Sequence, residues 1–130
     1  MEDSIFTKII KGEIPCHKVY EDDKTLAFLD IHPLMPGHTL VISKNQTEFV
    51  WDLPNGDYQA VMATCQKVAH RLREVLHVPY VGERIVGTDV PHAHIHILPF
   101  TTTDELKKDQ DISSTPNDAE LAALASRLAF

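Results

Sequence analysis

In the run from Pro91 to Phe100, PHAHIHILPF, His92, His94 and His96 alternate with Ala93, Ile95 and Ile97. A repeat of two belongs to a β-strand rather than a helix, so the stretch is expected to be extended. Side chains two apart on a strand share a face, about 6 to 7 Å from one another. The three imidazoles then line one surface while Ala93, Ile95 and Ile97 enter a core. A dried imidazole needs a partner for each ring nitrogen. Three together point to phosphate, metal or proton chemistry; the plainer alternative is an exposed sheet face that happens to carry histidine.

With 130 residues, 43% of them hydrophobic, the chain is long enough to bury a core as a single domain spanning residues 1–130. Lys and Arg total 12 against 19 Asp and Glu, a formal charge of −7. That balance argues against non-specific binding to nucleic acid or to an anionic membrane, and any phosphate handled is expected to be small. There is no signal peptide and no apolar run near the ~20 residues that span a bilayer, so the expected compartment is the cytoplasm. Cys16 and Cys65 stand far apart without CxxC spacing and read as ordinary thiols rather than a disulfide or nucleophile.

The remaining elements can be read in order. Ser4 can cap a short helix, SIFTKIIKGE, with Gly12 as its stop. Residues 18–21 and 25–29 read as a hairpin across Asp22, Asp23 and Lys24. The loop IHPLMPG then leads into a buried strand, His38 to Ser43. Thr47 to Leu53 is expected to make one helical turn with Phe49, Val50 and Trp51 inward. A long amphipathic helix follows from Asp57 to Leu76, and a strand from Tyr80 to Val86. Residues 101–116 form a polar, exposed or mobile connection, and 117–129 a final helix whose apolar side must cover its own domain or a second subunit. Short connections predict an α+β domain: an antiparallel sheet of about five strands, with the long helix and the short N-terminal helix packed on one face.

On these residues the chain resembles the histidine triad family of nucleotide hydrolases and transferases. The run His92-Ala93-His94-Ile95-His96-Ile97-Leu98 carries the resemblance, together with IFTKIIKGEIP, VYEDDKTLAFLDIHPLMPGHTLVI and the turn at Gly87. The resemblance covers residues 4 to about 100. It implies that His94 attacks the α-phosphorus of a nucleotide, that the backbone carbonyl of His92 orients its ring, and that His96 binds a phosphate oxygen or helps the leaving group depart. His38 would be a fourth histidine beside the phosphate. Phe6, Ile9, Phe28 and Ile31 would flank the base and Asp30 would accept the ribose hydroxyls, with Gly87, Thr88 and Asp89 completing the nucleotide-binding set.

Three departures from the family pattern stand out. Val81 occupies a place where many of the family's hydrolases carry Asn. Asp89 follows Thr88 where a hydroxyl or amide pair is usual, and a carboxylate there repels phosphate unless turned away or protonated. Ser4 and Thr7 replace the CxxC through which some relatives bind zinc, so no structural zinc is expected, nor any cofactor.

The implied reaction is hydrolysis of a nucleoside phosphoramidate or related conjugate through a nucleotidyl-histidine. Alternatives are a dinucleoside polyphosphate hydrolase, a nucleotide-binding interaction protein with little turnover, and a zinc site on the HxH strand with His38 or His96. A purine nucleotide is the expected small-molecule partner and a homodimer the expected assembly.

Overall fold

Asp22 decides where the first hairpin turns. In the computed structural model, which describes residues 2–130, its Oδ1 accepts hydrogen bonds from the Lys24 and Thr25 amides and the Thr25 hydroxyl, at 2.9, 2.8 and 3.0 Å. A short acceptor side chain that bonds the backbone two and three residues on closes a turn by itself. The strands it joins, β1 (Lys18–Glu21) and β2 (Thr25–Leu29), pair antiparallel.

The sheet is completed by β3 (Thr39–Ser43), β4 (Tyr80–Arg84) and β5 (His94–Phe100), in the order β1-β2-β3-β5-β4 with every neighbouring pair antiparallel. The architecture is the expected five-stranded α+β one. Its central strands β2 and β3 are buried along their whole length. Alternation therefore divides their residues between two cores rather than between core and water.

The larger core sets Ala27, Leu29, Val41, Ile95 and Ile97 against Val61, Cys65, Val68 and Leu72 of the long helix α2 (Asn55–Leu76). The smaller core, on the opposite face, sets Leu26, Phe28, Leu40 and Ile42 against Phe6 of α1 (Ile5–Ile10). Helices thus cover both faces, not one as expected. Period-two hydrophobicity reports that a face is covered but not by what.

The terminal helix α3 (Asp118–Leu128) buries Leu121, Ala125 and Leu128 in the larger core of its own domain. Its apolar stripe is consumed there, which removes the sequence-based argument that the stripe seeks a second subunit. Arg71 bonds the carbonyls of Arg127, Leu128 and Ala129, and the Phe130 amide donates to Val19 O across the outer edge of β1.

Other boundaries also move. The helix α2 begins at Asn55 after Pro54, two residues before the expected start, and ends at His77 in the left-handed conformation, φ 55°. Around Val50–Asp52 only a three-residue 3-10 turn forms. So short a turn directs one side chain inward: Val50 is buried, whereas Phe49 and Trp51 are 42% and 71% exposed. The stretch 101–116 is not featureless, because Thr103–Lys107 makes a 3-10 turn closed by a Thr102–Glu105 capping box. Strand β4 stops at Arg84 rather than Val86, and β5 begins only at His94. His92 and Ala93 precede the strand. Among the described residues no helix is long and apolar enough to cross a membrane.

Candidate active site

The site begins where β2 ends. The Asp30 amide donates to His38 O at 2.9 Å, which pinches the loop 31–37 shut and places both side chains beside β5. Inside the loop the Leu34 amide donates to His38 Nδ1 at 3.1 Å. An imidazole nitrogen that accepts a backbone N–H carries no proton, so in the neutral ring the proton sits on Nε2. That Nε2–H donates to His96 Nδ1 at 2.9 Å. His96 must then hold its own proton on Nε2. A single backbone amide fixes the tautomers of two histidines in series.

Burial keeps this pair uncharged. It pushes the His38 pKa from 6.5 down to about 4, against the pull of Asp30, whose Oδ2 lies 3.6 Å away; His96 and Arg84 push in the same direction as burial. His96 is likewise lowered, first by burial and then by His94, with Asp30 and Asp89 opposing.

His94 is oriented differently. Its Nδ1 donates to the carbonyl of His92 at 2.7 Å. A carbonyl can only accept, so His94 Nδ1 carries a proton, and in the neutral ring that leaves the lone pair on Nε2. The ring stands edge-on to His96 at 5.3 Å and to Phe6 at 5.2 Å.

His92 supplies that carbonyl from a fully buried position. Its Nε2–H donates to Ser43 O at 2.6 Å, and its Nδ1 accepts from Ser4 Oγ at 2.6 Å. Ser4 Oγ also caps α1 by accepting the Thr7 amide at 3.0 Å. Gln46 Oε1 takes the Ser4 amide at 2.9 Å and the Thr7 hydroxyl at 2.6 Å. Burial lowers the His92 pKa. The hydroxyls of Ser4 and Thr7 thus face His92 Nδ1 at 2.6 and 3.3 Å, with Gln46 Oε1 behind them, where a structural zinc needs thiolate or imidazole ligands. They form a hydrogen-bond network unsuited to that metal.

These groups meet at a cavity of about 620 Å³. Of the residues expected from sequence, His94, His96, Asp30, Phe6, Ile9, Phe28, Ile31, Thr88 and Asp89 line it. His38 and His92 do not; they stand behind His96 and His94 and hold them. All three triad rings lie on the α1 side of the sheet, opposite Ala93, Ile95 and Ile97 in the larger core, but the His92 ring turns into the Ser4 network instead of facing the cavity. Gly87 lies just outside the wall with φ +86°, where a glycine lets the chain turn at little cost.

Asp30, His38 and His96 also bring one donor atom each within 4.8 Å of one another, a spacing open to a cation. The 2.9 Å between the two imidazole nitrogens is the length of a hydrogen bond, and a proton fills it. Two contributors escaped the sequence. Gln46 carries no motif signal. Gln110, from the polar connection, donates from Nε2 to Asp30 Oδ2 and to His32 O, both at 2.9 Å.

An antiparallel five-stranded sheet whose strand β5, between β3 and β4, offers one bare and one protonated imidazole nitrogen to an open cavity is the frame of a histidine triad protein. The HIT domain model matches residues 11–103, and the chain belongs to that family. An uncharacterized HIT-like protein of Borreliella burgdorferi is 42% identical over 111 residues, covering 80% of each chain. The adenosine 5'-monophosphoramidase of Schizosaccharomyces pombe is 38% identical over 96 residues, 73% of this chain and 72% of that one. The crystal structure of a Hit-like protein from Bartonella henselae superposes with a TM-score of 0.81 at 30% identity, covering 97% of this chain and 94% of that one. Hydrolysis is therefore an activity found within the family.

Proposed function

We propose that the chain binds a purine nucleotide conjugate and hydrolyses it at the α-phosphorus through a covalent nucleotidyl-His94, with nucleoside phosphoramidates as the substrate class. The observation that carries this reading is the His94 Nδ1–H to His92 carbonyl bond, which leaves a lone pair on Nε2 at the cavity wall. A neutral imidazole so held is a competent nucleophile near neutral pH.

In the first step the Nε2–P bond forms as the P–N bond to the leaving amine breaks, and the amine takes a proton from solvent at the open mouth. Water then attacks phosphorus and releases a proton to solvent, the Nε2–P bond breaks with its electron pair returning to Nε2, and the nucleoside monophosphate leaves. Each displacement inverts, so configuration at phosphorus is retained. His96 Nε2–H supports charge on a non-bridging oxygen in both steps, held in its donor tautomer by His38. Asp30, at the cavity wall, suits the ribose hydroxyls, since a carboxylate accepts two of them well. Asp89, also in the wall, favours a leaving group that departs as a cation over a polyphosphate. For that reason we place amines ahead of dinucleoside polyphosphates.

The test is an AMP-linked fluorogenic amide turned over by wild-type protein and by His94→Ala. The variant should lose turnover while still binding AMP; wild-type-like turnover would end the assignment.

We also propose a cytoplasmic homodimer. The two cysteines are free, which fits a reducing compartment. The outer edge of β1 is occupied by the C-terminus, whereas β4 ends the sheet on the other side with Tyr80 57% exposed, an edge open to a second copy. Light scattering at micromolar concentration should give twice the chain mass, and a monomer would contradict the assembly.

A further inference from the structure

We infer that residues 108–113, beyond the family-matching region that ends at 103, form the outer wall of the nucleoside pocket and help set its affinity, with Ile112 as the residue that covers the base. The inference rests on the proposed reading of the cavity as a nucleotide site.

The segment is pinned in place. Gln110 Nε2 donates at once to Asp30 Oδ2 and His32 O, joining residues about eighty positions apart in the chain. Asp111 follows with a tight turn of its own: its Oδ1 accepts from the Ser113 amide and hydroxyl, and its carbonyl from the Ser114 hydroxyl. That turn presents Ile112 to the cavity, which it lines although 77% exposed.

Ile112 is not alone. Of the eight large hydrophobic side chains that stand exposed among the described residues, three, Ile5, Ile31 and Ile112, line this one cavity, and they come from α1, the loop after β2 and the polar connection. Exposed aliphatic groups converging from separate elements mark a surface that a ligand covers. The polar end of the same cavity is taken by His94, His96 and Asp30, which suit phosphate and ribose, so the flat apolar part of the ligand, the nucleobase, falls to the isoleucines. Aliphatic contact carries little hydrogen-bond discrimination, so adenine and guanine should be affected alike.

Calorimetric titration of AMP into the full chain tests this. Ile112→Ala should weaken AMP and GMP by about tenfold each, the scale on which apolar contacts in a pocket discriminate. AMP should also slow hydrogen exchange at the amides of residues 111–113 in wild type, and Gln110→Ala, which unpins the segment, should abolish that protection and weaken AMP. Unchanged AMP affinity in Ile112→Ala, or no protection of 111–113 in wild type, would overturn the inference while leaving the nucleotide site standing. Tighter AMP binding in Gln110→Ala would also overturn it, by showing that the amide competes with ribose instead of shaping the wall. A wild-type chain that binds neither AMP nor GMP would remove the proposed function itself.

Discussion

His38 accepts the Leu34 amide on one ring nitrogen and donates to His96 from the other, so adding a proton costs the fold a hydrogen bond and a buried charge. Its pKa falls from 6.5 to about 4 on folding. Below pH 6.5 the unfolded chain binds this proton and the folded chain does not. Stability is therefore undiminished above 6.5, declines as pH falls, and has lost its full increment by about pH 4. Linkage over that interval gives a loss of about 2 kcal/mol at pH 5 from His38 alone, approaching about 3 kcal/mol lower down. His92 and His96, also lowered by burial, add in the same direction. Carboxylates such as Glu21 and Asp22, lowered from 4.5 and 3.8, contribute chiefly below pH 5, so the window from 6.5 to 5 belongs to the histidines. Urea unfolding midpoints at pH 7, 6 and 5, with ring 15N shifts recorded alongside, measure the effect. Constant stability across that window, or a His38 ring that titrates at its ordinary value in the folded protein, would refute the tautomer relay.

Gly37 has φ +94°, and a Cβ there would lie 2.6 Å from Leu76 Cδ1 and 3.1 Å from Pro99 Cγ. Gly37→Ala should cost about 2 to 3 kcal/mol, read from thermal or urea unfolding. Ser4→Ala removes both the cap on α1 and the donor to buried His92 Nδ1, and should cost about 2 kcal/mol while moving the His92 ring 15N shifts. Turnover of the fluorogenic amide should survive dialysis against EDTA, because the steps are carried by imidazoles; loss of activity restored by zinc would favour a metal at Asp30, His38 and His96.

Much of this was legible in the chain. The alternation from His92 to Ile97 placed Ile95 and Ile97 in a core and His94 and His96 on the other side. The turn at Asp22 and the apolar stripe of α2 carry local signals strong enough to fix their elements. What escaped depends on contacts between distant segments. Periodicity could not say that α1 closes the far face of the sheet, since Phe6 reads as core on either side. It could not say that His92 leaves the strand, because the ring is drawn away by Ser4 and Ser43, 88 and 49 positions distant. Phe49 and Trp51 were expected inward on hydrophobicity alone, but a three-residue turn has room for only Val50. Gln110 lies in a polar stretch without period, and only folding brings it to Asp30.

The central claim is that His94 Nε2 attacks phosphorus, and trapping the adduct tests it most directly. Wild-type protein mixed with an AMP phosphoramidate and quenched in base within a turnover should yield a peptide in which His94 alone carries an adenylyl group, since the bond from phosphorus to imidazole is acid-labile. The adduct should vanish in His94→Ala and decay on incubation with water. Turnover with no adduct, or with the adenylyl group on His92 or His96, would contradict the account.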